Sequence, residues 1–166
     1  MIGIRQKERV YLSLVYITIT AWLTILFFAL LPQKVGSVTN VIVFFVTAIV
    51  DINKLTLNIS TFSLIKPVVS YSNWLALVVY RDITMSIILL IFVNVYFTSK
   101  NKRRKWEITI LTFFLLVAGS QLLRALNIIQ YKGWTIFYEM LCIGALIGIT
   151  LLTARITTRI DGGRKT

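Results

Sequence analysis

Apolar positions along this chain fall in long runs rather than in a stripe at helical period. Residues 10–31 carry no charge over 22 positions, about 33 Å as an α-helix and enough to cross a bilayer. Residues 38–50 are apolar except for Thr39, Asn40 and Thr47, a run too short for a full crossing that reads as an interfacial or re-entrant piece. Asp51 to Pro67 mixes polar and isolated apolar residues, and Lys66-Pro67 disfavours helix. A second span is expected over 74–98, broken by Arg81-Asp82, a third over 106–129 and a fourth over 134–154. The expected fold is therefore all-α: a four-helix transmembrane bundle in one domain over 1–166, with an outer segment at 32–73.

Positive charge orients those spans. A basic start (Arg5, Lys7, Arg9), a dense loop (Lys100 to Lys105) and a basic tail (Arg155, Arg159, Arg164, Lys165) alternate with segments holding only Lys34, Lys54, Lys66 and Lys132. With four spans the positive-inside rule puts both termini in the cytoplasm, in a cell membrane. Trp74, Tyr131 and Trp134 would then mark the outer interface and Trp106 the inner one. The basic start resembles a signal peptide, but the run after it is too long and no small-x-small site precedes Pro32.

Composition agrees with a membrane chain: 57% hydrophobic residues, 14% charged and a mean hydropathy of +0.82. The net charge of +12 is explained by an anionic inner leaflet as partner, without nucleic acid. Histidine is absent, which removes His-based catalysis and His-containing metal sites, and neither a phosphate-binding loop nor metal-ligand spacing occurs. No cofactor is expected. The lone Cys142 cannot form an internal disulfide.

Candidate chemistry lies in the charges inside the runs. Asp82, Arg124 and Glu139 fall roughly 24 to 27 Å from the inner ends of their expected helices. With Arg81 they would form a layer of two positive and two negative groups, Gln121 and Tyr138 serving leftover donors and acceptors. The turn 127–134 would bring Arg124 and Glu139 together as a pair. Charges in lipid cost on the order of 3 kcal/mol, so such groups should face each other or water. The layer is either a polar pocket open to the outer face or a device that holds helices in register. Asp82 and Glu139 would be the acid and base of an intramembrane enzyme, but no nucleophile or metal stands beside them in the sequence. Gly144 and Gly148 form a GxxxG step expected to bring helices close.

Several motifs fall in a known order. Asn58-Ile59-Ser60-Thr61-Phe62-Ser63-Leu64-Ile65 follows the first span, Phe92-Val93-Asn94-Val95-Tyr96 lies in the second and Gln121-Leu122-Leu123-Arg124 in the third, with Gly144 and Gly148 in the last. This order resembles the VanZ-like family of small Gram-positive envelope proteins. Thr61, Asn94, Tyr96, Gln121 and Arg124 depart from the family pattern. The expected function is that of a non-enzymatic cell-envelope protein, resembling VanZ-like proteins, that binds a lipid, a cell-wall-related molecule or a membrane partner on its outer face. The rival readings are a small transporter, a channel or accessory subunit, and the intramembrane enzyme.

Overall fold

A computed structural model describes residues 2–33, 35–67 and 70–162. Among the described residues the chain forms five long helices: α1 (Ile2–Leu30), α2 (Ser37–Thr61), α3 (Tyr71–Thr98), α4 (Lys102–Ala125) and α5 (Ile136–Gly162). All five are long and apolar enough to cross a membrane, the pattern of a multi-pass membrane protein. Two three-residue strands, β1 (Ile65–Pro67) and β2 (Ile129–Tyr131), complete the fold.

The count differs from the four helices expected, and α2 is the reason. Where an outer segment over 32–73 was expected, residues 37–61 form one continuous helix of 25 residues. Its polar residues are not loop-like breaks. Thr39, Asn40, Thr47, Asp51 and Asn58 are buried, whereas Val38, Val41, Phe45 and Ile49 are exposed. Spacings of 7, 4 and 7 from Asn40 through Thr47 and Asp51 to Asn58 follow the helical repeat, so one polar face turns inward and the apolar face outward. The other helices also bury polar residues, Asn73, Thr84, Ser86, Asn94, Ser120 and Thr150, beside an apolar core that includes Ile17, Leu89, Phe92 and Ile143. Hydroxyls inside the runs bond back to their own helix, as Thr18, Thr20 and Thr24 do to carbonyls four residues earlier. That satisfies them where no water would be at hand.

Helix α3 is the hub. In its most apolar stretch 61% of residues are buried, against 17% for α1, which packs mainly on α3. Helix α2 lies along α5, its most extensive contact, and also on α3; α4 packs on α3 and α5. Two stretches wind more widely than an α-helix, Leu57–Thr61 at the end of α2 and Val79–Met85 within α3.

Five antiparallel helices put the two termini at opposite ends, which differs from the expected placement of both on one side. At the C-terminal end, Val35 N–H donates to Asn94 Oδ1 (3.3 Å) and Asp161 of α5 lies against Gly36. The connections 31–36 and 99–101 therefore meet the end of α5 there. At the N-terminal end, the connections after α2 and α4 are joined by antiparallel pairing of Ile65 with Tyr131, Lys66 with Gln130 and Pro67 with Ile129. Each of those connections leaves its helix through a left-handed residue, Ser63 (φ 51°) or Asn127 (φ 54°). Ile128 N–H then reaches Leu123 O and Asn127 N–H reaches Arg124 O, both 3.0 Å, the paired bonds that close a helix C-terminus.

Candidate functional site

Under the β1–β2 pairing lies a charged cluster contributed by α2 and α5. Lys54 Nζ stands 3.1 Å from Asp51 Oδ1, one turn earlier in α2, and 3.2 Å from Glu139 Oε1 in the first turn of α5. Trp134 Nε1 donates to the second Glu139 oxygen at 2.7 Å. Both carboxylate side chains are only 5% exposed. One lysine is shared by two buried carboxylates, so these three groups carry a net charge of −1 when all are ionised.

A cavity of about 40 Å³ opens beside them, lined by Asp51, Lys54, Tyr80, Arg81, Tyr131 and Glu139 among others. Room of that size suits a water molecule or a small ion. Its polar rim is incompletely served. Among the described residues the hydroxyls of Tyr80 and Tyr131 have no hydrogen-bond partner, and Asp51 Oδ1 holds its lysine by charge without a well-directed hydrogen bond. Burial, and next the charge of Glu139, push the Tyr131 hydroxyl up to about 12. The Tyr80 hydroxyl lies against Gly119 of α4, where a Cβ would collide with it. The wide turn Val79–Met85 sets this stretch of α3, bringing Tyr80, Arg81 and Met85 to the cavity. Such turns recur at functional sites.

The residues expected to form one charge layer are distributed differently. Glu139 is in the cluster, but its partner is Lys54 rather than Arg124. Arg124 is exposed in the last turn of α4, its guanidinium over the Tyr131 ring at 5.4 Å. The helical phase decides this: Leu123 is the inward residue of that turn (4% exposed), and the next residue points about 100° away. Arg81 and Asp82 pair with each other through two contacts, 2.6 and 3.1 Å, and only Arg81 lines the cavity. Gln121 keeps a buried Nε2 that is unpartnered among the described residues. Tyr138 is 50% exposed and its ring lies tilted against Trp134 and edge-on to Phe137. Gly144 and Gly148 face outward: Phe113 just reaches the first, and nothing lies within 4 Å of the second. They do not bring two helices of this bundle together.

Asp51, Lys54, Tyr80 and Tyr131 were absent from the sequence-derived set. The signal for the first two was the helical spacing of polar residues through α2. No grouping of three or more Cys, Asp or Glu side chains suited to a metal occurs among the described residues. No family model, curated protein or solved structure matches this chain.

Proposed function

We propose that this is a non-enzymatic cell-envelope membrane protein, with its C-terminal end in the cytoplasm, that binds a small cationic or amine-bearing group at its outer end. Orientation is supported by charge. The segments at the C-terminal end (31–36, 99–105 and 155–166) hold ten Lys and Arg, those at the other end (1–9, 62–70 and 126–135) five. The positive-inside rule then puts the C-terminus inside and the N-terminus outside. The cluster under the strand pair faces out.

One observation carries the binding role: two buried carboxylates share one lysine beside unpartnered hydroxyls. A cluster built only to staple α2 to α5 would be complete with one carboxylate per lysine. An added cation completes the charge, and the tyrosine hydroxyls supply neutral acceptors for its N–H groups.

The test is thermal unfolding in mild detergent with ammonium, methylammonium or tetramethylammonium chloride at matched ionic strength. The first two raise the melting temperature of the wild type but not of Asp51→Asn, and tetramethylammonium, too large for the cavity and without N–H groups, does not. Equal shifts in both proteins, or none in either, remove the proposal.

A further inference from the structure

The opposite end of the bundle holds a larger and chemically different cavity. It measures about 450 Å³, within the range of small-ligand sites. Its apolar part is formed by Leu31, Pro32 and Val95, its polar part by Asn101, Lys100 and Arg104. Asn101 is the N-cap of α4 and accepts from Arg103 N–H at 3.0 Å. The first turn of a 24-residue helix thus begins at the cavity, where N–H groups without helical partners favour an anion.

Three of the neighbouring cations are already engaged. Arg103 pairs with Glu107 (3.0 Å), Lys105 lies over the Tyr96 ring (5.0 Å), and Arg155 reaches the Tyr96 hydroxyl (3.4 Å). Lys100 and Arg104 have no side-chain partner among the described residues, and both line the cavity. The carboxylates at this end are elsewhere: Glu107 on Arg103, and Asp161 against Gly36. A free inorganic anion would leave the apolar wall unused, and a plain hydrocarbon would leave two cations unused. An amphiphile with one anionic head uses both.

We infer that this cavity is a binding site for an anionic phospholipid, its phosphate between Lys100, Arg104 and the start of α4, its glycerol and upper acyl chain along Leu31, Pro32 and Val95. Trp106, 62% exposed one turn into α4, marks the depth at which headgroups lie. The inference rests on the chain lying in a bilayer, not on the function proposed for the opposite end. Each can fail without the other.

Native mass spectrometry of the purified full chain tests it, with phosphatidylglycerol, phosphatidylcholine and inorganic phosphate as probes. One phosphatidylglycerol is retained per chain in preference to phosphatidylcholine. K100Q/R104Q weakens its binding about thirtyfold, the loss expected for two near-surface cations. K102Q/R103Q removes the same charge away from the cavity and weakens binding less than about threefold. All four residues are exposed, so both variants keep the wild-type melting temperature. Equal weakening by the two pairs would assign the effect to the general surface field and overturn the site. So would equal retention of phosphatidylcholine, or displacement of the lipid by inorganic phosphate, the mark of a small-anion site.

Discussion

The two ends of this bundle each hold a buried polar cluster, and the clusters solve the burial problem differently. At the C-terminal end the cluster is neutral. Asn94 Nδ2 donates to Asn40 Oδ1 and Leu90 O, both at 3.0 Å, while its Oδ1 accepts from Val35 N–H; Asn40 in turn donates to Gln33 at 3.2 Å. Both amide side chains find donors and acceptors within the chain, and the result ties the α1–α2 connection to α2 and α3. Among the described residues, the cluster at the N-terminal end is charged, with two carboxylates on one lysine, and edged by hydroxyls without partners. A satisfied neutral network stabilises a structure and asks for nothing more. A charged network with unused groups is where a ligand adds something.

Substitutions sharpen the contrast. Lys54→Met leaves two buried carboxylates uncompensated and is expected to cost about 3–5 kcal/mol in an SDS-unfolding titration. Adding Asp51→Asn recovers a large part of that loss. A cost under about 1 kcal/mol for Lys54→Met would mean that the charged end does not depend on its cation. Next in size is Gly119→Ala, which drives a methyl into the Tyr80 hydroxyl and costs about 1–3 kcal/mol. Tyr80→Phe in that background restores part of it, unless the crowding comes from elsewhere on the ring.

Asn94→Leu breaks the neutral network for about 1 kcal/mol, the usual scale of interhelical hydrogen bonds in membranes. The double change Asn40→Leu/Asn94→Leu should cost less than the single one, because it removes donor and acceptor together. The smallest effect belongs to Arg124→Gln, below about 1 kcal/mol, since an exposed cation over a ring contributes little. Swapping charges as Arg124→Glu with Glu139→Arg fails to restore stability. Restoration would revive the direct pair between α4 and α5.

Much of the fold was legible in the sequence. Four of the five helices appear where uncharged or nearly uncharged runs predict them, with ends shifted: the third expected span, 106–129, is helical over Lys102–Ala125, and the fourth, 134–154, over Ile136–Gly162. The loop basic residues at 102–105 are absorbed into the first turn of α4. Helix α2 was hidden because a hydropathy run stops at Asp51, whereas the helical repeat continues through Lys54 and Asn58. The candidate site was half legible for the same reason. Glu139 announces itself as a charge in an apolar run. Its partner Lys54 lies in a stretch whose polarity looks like a loop unless its period is read. Depth along two helices was also a poor guide to pairing, since Arg124 and Glu139 differ in helical phase and not in height.

The inward polarity of α2 has a consequence for how the protein is made. Lys54 and Glu139 are 85 residues apart in sequence, so at ribosomal rates Lys54 is made about 4 to 17 s before the residue that pairs with it across the bundle. During that interval Lys54 has Asp51, one turn away, but not Glu139, and on translocon scales each charge near a helix centre costs about 3 kcal/mol on insertion. Helix α2 is thus poorly suited to settling in lipid alone. Its other neighbour in the bundle is α3, made before α5, so α2 is suited to pack there first until α5 arrives and closes the assembly from its last element.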